Sequence, residues 1–185
     1  MKIWTCLVAL TLISACGDDG GGGTDTAGAD DARQVPPTSG KVAMRTWLAE
    51  GHYKQWTCES GAHDATIAVS PHGKQRICSN DVLAMHGDGE YPVDAAAVKE
   101  LYDAAGAEII GYAVYRRVKP GADGGSWYWY EEVPDDHPAP HDDDGIVADG
   151  LGDSGPAQSI CVTCHALAGT DADHPGQDFV YVQVQ

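Results

Sequence analysis

The residues best equipped for chemistry lie near the C-terminus, in S-I-C-V-T-C-H-A-L-A-G, residues 159–169. On a helix, positions i, i+3 and i+4 share one face, so the thiols of Cys161 and Cys164 and the imidazole of His165 point the same way. Three chemistries use such a cluster: half of a zinc site, a redox dithiol, or covalent attachment of a porphyrin with the imidazole on its iron. A structural zinc site takes four ligands, usually as two close pairs, and no second C-x-x-C is present. A thioredoxin-type dithiol follows a strand in a βαβ unit, whereas this motif follows a strand-rich chain. C-x-x-C-H is the signature of c-type haem attachment. Its single copy predicts one covalent haem c, bound through Cys161 and Cys164 with His165 as axial iron ligand. The sixth iron position stays open among Met44, Met85, any of the other histidines, or a small molecule.

The elements around the motif must position it. Asp153, Ser154 and Pro156 give a helix start, and Gly169 a stop. Upstream, K-V-A-M-R-T-W-L-A-E-G (41–51) has apolar residues at helical spacing and ends in glycine. A-T-I-A-V-S (65–70) and Q-R-I-C-S (75–79) read as strands around a P-H-G-K turn, and Asn80 caps a short helix. Residues 107–118 and 126–133 are strong strand patterns, with Trp127, Tyr128, Trp129 and Tyr130 alternating across a sheet. D-F-V-Y-V-Q-V (178–184) reads as a last strand. The stretch Y-P-V-D-A-A-A-V-K-E-L-Y-D (91–103) favours helix by propensity alone. Residues 134–154 form an acidic, proline-rich loop. There His137, His141 and Asp142–Asp144 lack the alternating spacing of a calcium loop and read as solvated.

Residues 1–15 read as a signal peptide, with Lys2 ahead of an apolar core too short to span a bilayer. Its L-I-S-A-C ending resembles a bacterial lipobox. Cys16 is then the lipidated residue, and the protein is exported and lipid-anchored at the outer membrane or cell surface, with a periplasmic-facing location equally compatible. Residues 16–40 are a Gly- and Asp-rich tether, and residues 41–185 one folded domain. With Cys6 removed, Cys16 lipidated and Cys161 and Cys164 in the motif, Cys58 and Cys78 pair in a disulfide or stay as two buried thiols. The formal charge of −17 repels nucleic acid and anionic membrane surfaces, leaving the lipid as the only membrane contact.

Four stretches in order, Y-P-V-D-A-A-A-V-K-E-L-Y, I-I-G-Y-A-V-Y-R-R-V-K, W-Y-W-Y, and C-V-T-C-H with D-F-V-Y, resemble the cytochrome P-460 family and the related beta-type cytochromes c-prime. The resemblance spans roughly residues 80–185. It implies an α+β fold, mainly an antiparallel β-sheet with packed helices and a C-terminal C-x-x-C-H helix, commonly in a homodimer. It also implies a five-coordinate haem and makes V-K-E-L-Y a strand, against its propensity. Lys99 matches the lysine that P-460 members link to the porphyrin edge. Ala113 falls where those that oxidise hydroxylamine carry a distal glutamate, and Glu108 is offset onto the other strand face. The expected activity is redox chemistry on a small nitrogen compound, hydroxylamine or nitric oxide, with an electron-transfer partner protein. The alternative is a non-catalytic gas-binding or electron-transfer cytochrome.

Overall fold

The computed structural model describes residues 35–67 and 70–185. The signal peptide, Cys16 and most of the tether fall outside the described residues. Helix α1 (Lys41–Glu50) buries Met44, Trp47 and Leu48, the i, i+3, i+4 stripe of its sequence. The backbone N–H of Lys41 is capped by Asp149 at 2.7 Å. Gly51, at φ 70°, closes the other end by donating its N–H to Leu48. A 3₁₀ turn (His52–Gln55) follows and buries Tyr53.

Seven antiparallel strands form one sheet: β1 (Thr57–Cys58), β2 (His63–Asp64), β3 (Lys74–Ser79), β4 (Ala96–Tyr102), β5 (Ile109–Arg117), β6 (Trp127–Glu132) and β7 (Ile146–Leu151). The spatial order is β1-β3-β4-β5-β6-β7, with β2 also paired to β3. Cys58 lies directly opposite Cys78, and the two are joined in a disulfide. Helix α2 (Asp81–Ala84) is capped as its sequence suggests, Asn80 accepting from the Leu83 N–H.

The sheet is covered on both faces. α1 and the 3₁₀ turn pack Met44, Trp47, Leu48 and Tyr53 against Val98, Val114, Tyr128 and Tyr130. The other face packs Ile77, Ala97, Tyr115, Trp127 and Trp129 against Cys161 and Val180. Cys161 lies in a π-helical stretch (Ala157–Val162) that continues into α3 (Thr163–His165). This helical run sits so close to the sheet edge that a Cβ at Gly152 would overlap the Gly124 carbonyl and the Val162 side chain. Among the described residues no helix is long and apolar enough to cross a membrane.

Four stretches differ from what local sequence suggests. The alanine-rich 91–103 segment supplies β4, the partner of both β3 and β5; five of the seven β4 residues are buried, so packing outweighs helix propensity. Residues 65–67 are not strand. β2 ends at Asp64, and Pro71 has no N–H to give a ladder; residues 68 and 69 of the expected strand lie outside the described residues. The acidic loop is shorter than expected, because I-V-A-D-G-L forms β7 against β6. Residues 178–184 are not a strand either, because Asp178 and Phe179 take left-handed backbone angles that break the extended run.

Candidate functional site

One row across the sheet organises the site. Ile77, Lys99, Ala113, Glu131 and Ala148 stand opposite one another on β3 to β7, and side chains at matched positions share a face. In that row Ala113 is a gap between Lys99 and Glu131. Over the gap lies a cavity lined by sheet, loop and helical residues. The sheet lines it with Gln75, Lys99, Tyr115, Trp129 and Glu131, and the 65–72 loop adds Ile67, Pro71 and His72. The helical run adds Ile160, Cys161, Cys164 and His165, and the C-terminal segment Tyr181 and Val182.

The expected helix therefore brings Cys161, Cys164 and His165 to one cavity. Neither thiol is in a disulfide. Burial pushes the Cys161 thiol up to about 12. His165 is ringed by Trp129, Tyr181 and Tyr115, with centroids at 4.8, 5.5 and 5.9 Å. Its Nδ1 lies 2.6 Å from the Phe179 carbonyl oxygen, which makes Nδ1 the N–H donor. Burial, helped by the Lys99 charge, pushes its pKa down to about 3 against that hydrogen bond. The ring is neutral at physiological pH, and Nε2 carries the lone pair a metal needs.

Lys99 points into the same cavity, its Nζ 2.7 Å from His72 Nδ1. His72 Nε2 lies 3.5 Å from Glu131, close enough for an electrostatic contact but too long for a good hydrogen bond. Burial pushes Lys99 down to about 8 although Glu131 opposes it. Burial and the Lys99 charge lower His72. Burial alone would raise Glu131, but His72 and Lys99 outweigh it, and its carboxyl lies below the usual range. A neutral His72 thus stands between an amine and a carboxylate, accepting at one nitrogen and presenting N–H at the other.

No family model, curated protein or solved structure matches this chain. The site has to be read from its own residues.

Sequence reasoning missed Glu131, and had His72 only as one of several histidines open to the sixth iron position. Glu131 was legible, since alternation in W-Y-W-Y-E-E places it on the face of Trp127 and Trp129. His72 comes from an irregular loop and left no periodic signal. Glu108 is exposed, ahead of β5, and does not reach the cavity. Met44 is buried on the opposite face of the sheet and Met85 is 83% exposed, so neither lines the cavity. Asp142 accepts from the backbone N–H groups of Asp144 and Ile146 and so orders the turn before β7. Among the described residues no three His, Cys, Asp or Glu side chains gather as they would around a bare metal ion.

Proposed function

We propose that this chain is an exported, lipid-anchored c-type monohaem protein of P-460-like architecture, acting in redox chemistry on a small nitrogen compound, hydroxylamine or nitric oxide. Cys161 and Cys164 would hold the haem through thioethers and His165 would ligate its iron. One observation carries the reading: both thiols and a neutral imidazole, whose second nitrogen is committed to the Phe179 carbonyl, line a single cavity. An imidazole held in this way is the usual form of a metal-ligating histidine. The wall residues Trp129, Tyr115, Ile77 and Ile160 suit a flat, largely apolar group. Gln75 is 3% exposed, and its Oε1 has no hydrogen-bond partner among the described residues, which suits a small substrate that brings a donor, as hydroxylamine does.

When bound, haem supplies a redox-active iron able to take a small ligand. The chain supplies the rest. Lys99 can donate a proton to a ligand in the cavity, neutral His72 can donate a hydrogen bond through Nε2, and Glu131 can take a proton up, the role that Ala113 cannot fill. The aromatic walls keep bulk water from that exchange. Lys99 matches the cross-linking lysine of the P-460 members, but its amine is already held by His72. We therefore expect two thioethers and a free Lys99. A homodimer and an electron-accepting partner protein complete the proposal by resemblance.

The test is an absorption spectrum of the purified protein, oxidised and reduced, beside a sample denatured in alkaline pyridine. The expected result is an ordinary c-type spectrum after denaturation, one haem per chain, and no covalent haem in a Cys161→Ala, Cys164→Ala double variant. A red-shifted reduced Soret band that survives denaturation would mark a third bond from Lys99 and favour hydroxylamine as substrate. A low-spin native spectrum, with a side chain on the sixth position, would favour electron transfer. No haem at all, from a host able to attach it, would overturn the proposal.

A further inference from the structure

Phe179 holds a backbone conformation that its side chain does not favour. Gln177 and Val180 exchange both backbone hydrogen bonds, at 3.0 and 2.8 Å, and Asp178 and Phe179 form the corner between them at φ 43° and 69°. Two left-handed residues at the centre of a tight turn are the habit of Asn, Asp and Gly. Aspartate suits its place; phenylalanine does not. Such strain persists only where the surroundings over-determine it, and it concentrates at functional sites.

The surroundings here are specific. Arg117, at the end of β5, is completely buried, and its Nη1 lies 2.5 Å from Asp178 Oδ2. The same carboxylate oxygen accepts from the Tyr91 N–H at 2.7 Å. Arg117 itself is fixed by Glu90, by the Gly121 carbonyl at 2.6 Å, and by the Trp127 ring, 5.4 Å from its guanidinium carbon. The strained residue is the one whose carbonyl oxygen meets His165 Nδ1 at 2.6 Å.

We infer that Arg117 and Asp178 are positioning residues for His165, their buried ion pair holding the Asp178–Phe179 corner so that the Phe179 carbonyl is aimed at the ring. The inference rests on His165 as iron ligand. A firmly held acceptor at Nδ1 makes the imidazole a stronger donor through Nε2 and favours the oxidised metal. The corner is then a setting for the reduction potential, built about 14 residues downstream of the ligand on a turn that is costly to form without its anchor.

Asp178→Asn is the decisive variant. It keeps an acceptor for the Tyr91 N–H and removes the charge that Arg117 holds. The reduced variant is expected to show an iron–histidine stretching band at lower frequency than the wild type, and a midpoint potential shifted upward, with haem content unchanged. Asp64→Asn, which removes an exposed ion pair with Lys74 between β2 and β3, should leave both readings at wild-type values. Haem-loaded D178N with an unshifted band and potential, or D64N with the same shift as D178N, would overturn the positioning role and leave the haem reading intact. Should D178N not fold, the wild-type protein decides: an iron–histidine band at the frequency of an imidazole without an Nδ1 acceptor would also overturn it. Absence of haem from the wild type would instead remove the proposed function itself.

Discussion

Glu100 and Glu131 are two buried carboxylates on one sheet, facing opposite sides of it. Glu100, on β4, is 1% exposed and accepts from Tyr53 at 2.8 Å, Tyr102 at 2.8 Å and Arg76 at 3.2 Å. Glu131, on β6, is 5% exposed, and its nearest partner is His72 at 3.5 Å. One charge is fully matched by donors, and the other is left with spare acceptor capacity beside a cavity. A matched buried charge fixes structure, whereas an unmatched one is available to a ligand. The same division runs through neighbouring residues: Glu100 belongs to the packed face beneath α1, and Lys99, one residue earlier, to the cavity.

The sharpest way to break this comparison is to exchange the consequences of the two faces. Glu100→Ala should destabilise the fold by about 3–5 kcal/mol in denaturant unfolding, because it orphans Tyr53 and Arg76, while the absorption spectrum stays unchanged. Removing the Cys58–Cys78 disulfide by a double alanine variant should cost about 3 kcal/mol, read as a lower unfolding midpoint, again without spectral change. On the cavity side the pattern should reverse. Glu131→Gln should cost no more than about 1 kcal/mol of stability, because the carboxylate gives up no close hydrogen bond. It should change the pH dependence of ligand binding or turnover, which a Glu100 variant that remains folded should not.

The last effect, at Lys99, is read in the pH dependence of stability. Burial has moved its pKa from an ordinary 10.5 down to about 8. Between those values the unfolded chain holds a proton that the folded chain has released, so Lys99 makes stability rise with pH across that window. Lys99→Met should abolish the rise, and subtracting the two curves removes the opposing tyrosine contribution at high pH. No difference between the curves would mean that Lys99 carries no free amine.

Much of the packed face was legible in the sequence. The apolar spacing of α1, the alternation of β5 and β6, the Asn80 cap and the Cys58–Cys78 pair each follow from short-range chemistry, or from partitioning the cysteines. The limits have particular causes. β4 carries helix-favouring alanines because its central position leaves little room for larger side chains, and only resemblance pointed to a strand. β7 is short and flanked by aspartates and glycines that mimic a loop. The C-terminal alternation from Asp178 to Val184 is genuine, but two left-handed residues turn it aside. On the cavity face, the motif residues were visible as a spacing, whereas the Lys99–His72–Glu131 group exists only through strand register and a loop.

The buried thiol of Cys161 also bears on the order of assembly. It is nine-tenths buried and holds its proton to about pH 12, so the finished fold offers almost no thiolate for bond formation. Any covalent attachment at that sulfur has to happen while the helical run is still away from the sheet. The sheet, with its disulfide and α1, can form first; on the proposed attachment the chain from Ala157 onward would stay open until it has been loaded. On the proposed attachment, docking of Ala157–His165 would act as the seal, and a chain that closed early would be committed to remaining empty.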